Sequence, residues 1–144
     1  MPRPAFGGGI FIADKSVWAR AGRPRLRAEW ATALRARQIA TCSIVRLELL
    51  FSARDAQELE SLERDLTALR DVPVTPSVQR EAVRAVHELA ARSPLYHRVP
   101  LPDVLIAATA QDVGMGVLHL DRHFDRLAEV LAFESRWAAD PGEL

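Results

Sequence analysis

The chain has 144 residues and one cysteine, Cys42, so no intrachain disulfide can form. That excludes a disulfide-stapled scaffold and any CxxC redox or zinc site, and it points to a reducing compartment. Lysine is just as scarce: Lys15 is the only basic residue among 19 that is not an arginine. Long apolar runs are missing, the longest covering about seven residues from Val104 to Ala110 if Thr109 is admitted, against roughly 20 for a membrane span. Residues 1–9 have no apolar signal-peptide core, so a cytoplasmic location is expected. No G-x-S-x-G turn is present, and Gly7-Gly8-Gly9 is not followed by Gly-Lys-Ser/Thr, which removes the serine-hydrolase elbow and the phosphate-cradling P-loop. His119 and His123 are spaced i, i+4, but an expected strand end and turn between them break the helix that a zinc pair would need.

Enough apolar side chain is present, 49% against 26% charged, for one domain with its own core. The zero net charge hides an asymmetry: residues 1–48 carry nine basic and three acidic side chains, residues 49–144 ten and sixteen. Arg20, Arg23, Arg25 and Arg27 form the densest basic run, which suits either phosphate recognition or a solvated helix face.

Periodicity predicts alternating strands and helices. Ile10–Ala13 reads as a buried strand, a helix follows from Pro24, and Ile39–Cys42 is again strand-like. Ser43 can cap an apolar helix through Phe51, Ala56–Leu69 is an amphipathic helix, and Val72-Pro73-Val74 gives a third strand. Ser77–Arg92 is helical, residues 93–100 form a loop suited to a flap, and Pro102-Asp103 opens a small-residue helix that ends near Gly114. Val117–Leu120 and Val130–Phe133 are the last strands expected. Such alternation implies a three-layer α/β/α sandwich around a mainly parallel sheet. Residues 1–9 read as a flexible leader, 10–134 as the domain and 135–144 as a tail, while Trp18 and Trp30 read as core or dimer-interface residues.

In open parallel sheets ligands bind beyond the carboxyl ends of the strands, so residues directly after strands carry most weight. Asp14 and Asp121 follow strands, Asp103 opens a helix, and Glu48 sits among Ile44, Val45 and Phe51. Each of the three aspartates also fits a helix cap or first-turn acid; Glu48 would be poorly solvated without a compensating cation or donor. Two carboxylates about 5 Å apart repel by roughly 3 kcal/mol at an effective dielectric near 20, so convergence of all four would call for a divalent cation. Oxygen ligands of this kind select Mg²⁺ or Mn²⁺, and the chemistry implied is phosphodiester hydrolysis by a metal-activated water.

Four segments carry a family resemblance: Ile12-Ala13-Asp14-Lys15-Ser16, Ile44 to Ser52 around Glu48, Leu101 to Ala110 around Asp103, and Leu118 to Asp125 around Asp121. In this order they resemble the signatures of PIN-domain ribonucleases, most closely the VapC-type toxins of bacterial toxin-antitoxin pairs, over about Ile10 to Phe133. The resemblance implies a Mg²⁺- or Mn²⁺-dependent endoribonuclease in which Asp14, Glu48, Asp103 and Asp121 form the metal pocket and Ser16 supports it. It also implies an inhibiting antitoxin, a homodimer and a toxin-antitoxin hetero-oligomer, with RNA as substrate. Many members have another acid two positions after the fourth aspartate; His123 stands there, so a second metal would bind more weakly or depend on Asp125. Lys15, Arg20, Arg23 and His123 are candidate contacts to substrate phosphate; Lys15 reads equally as a solvent-facing loop residue, and a helix start is the favoured reading of His123. A receiver-like domain phosphorylated on aspartate is the alternative enzyme-free reading, weakened because Lys15 adjoins Asp14 rather than following a late strand; a PIN fold kept only for binding is disfavoured by its four acids.

Overall fold

The computed structural model describes residues 3–144. Five parallel strands form one sheet: β1 (Phe11–Ala13), β2 (Ile39–Cys42), β3 (Arg70–Val72), β4 (Gly116–His119) and β5 (Ser135–Trp137), in the order β3-β2-β1-β4-β5. Seven α-helices accompany them among the described residues: α1 (Lys15–Trp18), α2 (Pro24–Arg35), α3 (Ser43–Phe51), α4 (Ala56–Thr67), α5 (Pro76–Arg92), α6 (Leu101–Asp112) and α7 (His123–Leu127). None is long and apolar enough to cross a membrane.

Alternation along the strands builds two cores. Ile12, Ala40, Cys42, Val72 and Val117 face one side, where Val45 of α3, Val78 and Leu89 of α5, Ile106 of α6 and Phe124 of α7 cover them. Phe11, Ala13, Ile39 and Leu118 face the other side, covered by Val17 of α1 and by Leu26, Trp30 and Ala33 of α2. The expected α/β/α sandwich is therefore present, and period-two patterning in short central strands is what generates it. Trp18 packs edge-on against Trp30 with ring centroids 4.9 Å apart, Trp30 being in the core and Trp18 half-buried against it.

Several segments depart from expectation. Residues 1 and 2 of the expected leader lie outside the described residues, but its remainder is packed: Ala5 and Phe6 are buried, Gln38 bonds Ala5 through both its amide atoms, and the Phe6 amide donates to Glu29. The expected tail is corrected too, because β5 pairs with β4 (Val117↔Ser135, His119↔Trp137) and Ala138 and Ala139 are buried behind it. Val130–Phe133 is not a strand; Val130 and Leu131 instead insert into the core just after α7, where an apolar run serves a turn as well as it serves a sheet. The third strand sits at Arg70–Val72, before Pro73, whose missing N–H suits the residue after a strand better than one inside it. Residues 93–100 are tied down instead of forming a free flap: Tyr96 Oη donates to Glu129, and the Arg126 guanidinium lies 4.2 Å above the Tyr96 ring.

The strand order reverses direction at β1, with β2 on one side and β4 on the other. Such a switch point, where adjoining connections run to opposite faces of the sheet, is where open parallel sheets bind ligands, here beyond the carboxyl ends of β1 and β4.

Candidate active site

Asp14 follows β1 and caps α1: its Oδ2 accepts the Ser16 amide at 3.1 Å and the Ser16 hydroxyl at 2.7 Å. The capping role foreseen for it is real and uses only one oxygen. Its Oδ1 is buried without a hydrogen-bond partner, an expensive arrangement unless something positive meets it. The Ser16 hydroxyl also accepts the Leu120 amide at 3.1 Å, so one side chain ties the end of β1 to the end of β4. Ser16 thus sits between Asp14 and the end of β4, bonded to both.

Asp121 comes just past β4. Its Oδ1 accepts the His123 amide at 3.0 Å, which fixes the turn into α7. Asp103 lies in the first turn of α6, an end where the helix dipole favours an anion, and is only 5% exposed. Pro102 beside it lacks an N–H that this first turn would leave unpaired in any case.

Glu48 reaches the cleft from α3. The compensating cation it needs is Lys15, whose Nζ lies 3.0 Å from Oε2, while Oε1 is buried without a partner. Pairing with Glu48 also raises the Lys15 ammonium further above its ordinary value. This ion pair was not foreseen, since α1 and α3 are far apart in sequence and only packing brings them together.

Electrostatics show how closely these acids meet. Burial pushes the Asp103 carboxyl up to about 7, and repulsion from Asp14, Asp121 and Glu48 adds to it, with Lys15 opposing. Asp14 is raised as well, again chiefly by burial, against the hydrogen bonds from Ser16. His123 is drawn in: Nδ1 is 2.8 Å from Asp121 Oδ1 and 3.5 Å from Asp103 Oδ2, and Asp103, Asp121 and His123 each present an atom within 4.8 Å of the others. Helix start and site neighbour are both its positions.

The remaining candidates are less central. Arg20 donates to the Ser16 carbonyl at 3.2 Å, beside the cleft. Arg23 is exposed at the start of α2, and no ion pair ties it to the four acids. Asp125 is engaged with β5, its oxygens accepting from the Ser135 hydroxyl at 2.6 Å and the Trp137 indole at 2.8 Å. His119, which the sequence presents only as half of an unworkable zinc pair, is fully buried, hydrogen-bonded on both ring nitrogens and pushed by burial down to about 4.

These features fit a hard divalent cation. Asp103 and Asp121 oxygens and a His123 nitrogen converge, the Asp14 and Glu48 carboxylates each keep one buried oxygen without a partner, and burial, with these acids adding to it, raises the Asp103 carboxyl to about 7. A pH dependence follows. Because the folded pKa of Asp103 is above its ordinary 3.8, its contribution to stability is complete below about pH 4 and is lost as pH rises through 7; Asp14 acts in the same direction. In chelating buffer wild type is expected to lose on the order of 1–2 kcal/mol of stability relative to Asp103→Asn between pH 5 and 8, a comparison that cancels His119, whose lowered pKa makes stability rise up to about pH 6.5 in both proteins. Adding Mn²⁺ at pH 8 should reverse the loss, and the same pH dependence of Tm in both proteins would contradict the crowding described.

The PIN domain family profile matches residues 11–130. Ribonuclease VapC18 of Mycobacterium tuberculosis is 37% identical over 136 residues, covering 94% of this chain and 99% of that protein. Among solved structures, DNA-bound VapBC from Salmonella typhimurium aligns with a TM-score of 0.71 at 16% identity, over 92% of this chain and all of the matched one. VapBC-5 from Mycobacterium tuberculosis, a member of the VapBC family of toxin-antitoxin systems, aligns at 0.61 with 21% identity, over 88% and 97% of the two chains. At those identities the two structures are relatives in fold.

Proposed function

The chain belongs to the PIN-domain family, and on that premise we propose that it is the ribonuclease toxin of a toxin-antitoxin pair, cleaving RNA phosphodiester bonds at the carboxylate cleft with Mg²⁺ or Mn²⁺. The observation that carries the reading is the crowding of Asp103 by three other carboxylates at the mouth of β1 and β4. An acid buried among like charges is a cost to the fold that is offset when a cation binds there.

Asp14, Asp103 and Asp121 would hold the ion, with Glu48 and His123 at its margin. A hard divalent cation supplies charge stabilisation at phosphate oxygens and lowers the pKa of water. The chain does the rest. Ser16 fixes the Asp14 carboxylate and joins the two strand ends, which keeps the donor atoms at constant separation. Glu48 Oε1, unpartnered while its other oxygen is occupied by Lys15, would take a proton from a water admitted to the site. Lys15, more than half exposed, and Arg20 bring positive charge to the rim, where an RNA phosphate would meet it. Asp125 belongs to the support of β5 in this reading, so a single ion is proposed.

An antitoxin is the proposed protein partner, and a homodimer the proposed form of the toxin itself. Leu47 and Phe51, 64% and 91% exposed on α3, supply apolar surface for self-association. The cytoplasm is the proposed location.

The reading is tested by incubating antitoxin-free protein with total cellular RNA in Mg²⁺, in Mn²⁺ and in chelator. Discrete fragments in the metal lanes and none in chelator are expected. Cleavage that persists in chelator would refute metal dependence, and folded protein that cuts no RNA in either metal would refute the ribonuclease assignment.

A further inference from the structure

Behind Asp121 a polar chain runs from the buried His119 out to the half-exposed Asp125, and the cleft chemistry does not use it directly. His119 ends β4, is fully buried, stacks on Phe124 at 4.9 Å and meets the edge of Trp137 at 5.0 Å. A buried imidazole is costly unless both nitrogens have partners, and here both do. The Asp121 amide donates to Nδ1 at 3.1 Å, and Nε2 lies 2.7 Å from Ser135 Oγ. Ser135 Oγ is in turn 2.6 Å from Asp125 Oδ1, and the Trp137 indole holds Asp125 Oδ2 at 2.8 Å.

The direction of every bond in this chain is determined. A backbone N–H can only donate, so Nδ1 carries no proton and the ring is neutral with its hydrogen on Nε2. Nε2–H therefore donates to Ser135 Oγ, and the serine hydroxyl passes its own hydrogen bond to a carboxylate that can only accept. Strand pairing holds the parts in register, with His119 opposite Trp137 and the Ala138 amide donating to the His119 carbonyl at 2.9 Å.

We propose that His119 is a positioning residue for Asp121: fixed as the Nε2–H tautomer by Ser135 and Asp125, it accepts the Asp121 amide and so sets the turn that aims the Asp121 carboxylate into the cleft. The proposal rests on the reading of Asp121 as a metal ligand. It gives β5, a polar edge strand, a function at a distance: Ser135 and Trp137 orient Asp125, Asp125 orders the Ser135 hydroxyl, and the imidazole relays that order to the turn. Outer partners of metal ligands commonly act in this way, by fixing tautomer and orientation.

The test measures Mn²⁺ affinity by counting free Mn²⁺ with electron paramagnetic resonance, in wild type, His119→Leu, His119→Asn, Ser135→Ala and Asp121→Asn, alongside ¹⁵N NMR of the wild-type imidazoles. The Nε2–H tautomer is expected for His119. His119→Leu should weaken Mn²⁺ binding about 10- to 100-fold, and Ser135→Ala by a smaller factor. His119→Asn, whose Oδ1 falls close to the place of Nδ1, should recover most of the affinity. Unchanged affinity in folded His119→Leu or in Ser135→Ala would overturn the proposal, since a purely structural imidazole would lower Tm and leave metal binding alone. An Nδ1–H tautomer overturns it whatever the variants do. Wild type that fails to bind Mn²⁺, or Asp121→Asn that binds it normally, removes the ligand reading itself, and this proposal with it.

Discussion

Replacing Asp103 by asparagine is expected to lower metal-dependent RNA cleavage by about 10³-fold, the order seen when one preorganised charge-stabilising group is lost, while making the metal-free protein more stable. The opposite signs follow from one cause. The Asp103 carboxyl is buried, pushed up to about 7 by that burial and by Asp14, Asp121 and Glu48, so at neutral pH the fold bears the cost of a charge it does not need for packing. Asparagine keeps the shape and removes the charge, which relieves the fold and at the same time deletes a cation ligand. Thermal unfolding in chelator at pH 8, set beside a cleavage assay, reads both effects. A variant that is inactive and also destabilised would mean that Asp103 serves the fold first.

The second large effect concerns the sheet. Gly116 opens β4 at the point where Phe11 of β1 lies across it; a Cβ there would sit 2.8 Å from the Phe11 ring and 2.9 Å from the Glu134 carbonyl. Phe11 is fully buried and the carbonyl belongs to the backbone leading into β5, so neither can retreat cheaply. Gly116→Val is expected to cost about 3 kcal/mol or more, at the upper end for overpacking, and to lower Tm by at least several degrees. Because β4 delivers Asp121, Mn²⁺ affinity should fall with it. Denaturant unfolding measures the loss, and a cost near zero would show that the two strands are more loosely joined than their contacts indicate.

Much of this could be read from the sequence because the central strands and the four acids lie in short segments whose local pattern matches their place in the fold. Ile39–Cys42 is apolar and β-prone over its whole observed length, and Asp14, Glu48, Asp103 and Asp121 stand at strand ends, at a helix start or among apolar neighbours, where a charge is conspicuous. What escaped has a common character. β5 is Ser-Arg-Trp, a polar edge strand with neither an alternating apolar face nor β-branched residues, so the neighbouring Val130–Phe133 run looked more strand-like. The tail reading then hid Ser135 and Trp137, and with them the role of Asp125 and the partners of His119. Lys15 meets Glu48 only through the packing of α1 on α3, a contact that no spacing in the chain announces. The leader reading failed for a related reason: three glycines suggested freedom, whereas Gly7, Gly8 and Gly9 all adopt positive φ to turn the chain after Phe6 has been buried.

The central claim is that the carboxylates gathered beyond β1 and β4 hold a hard divalent cation for cutting RNA. Its most direct test is anomalous diffraction from crystals of the antitoxin-free protein grown with Mn²⁺, collected on both sides of the manganese absorption edge. An anomalous peak bounded by Asp14, Asp103 and Asp121 is expected, absent from crystals of Asp103→Asn prepared in the same way. Manganese bound elsewhere, with that cleft holding none in a protein that still cleaves RNA, would contradict it.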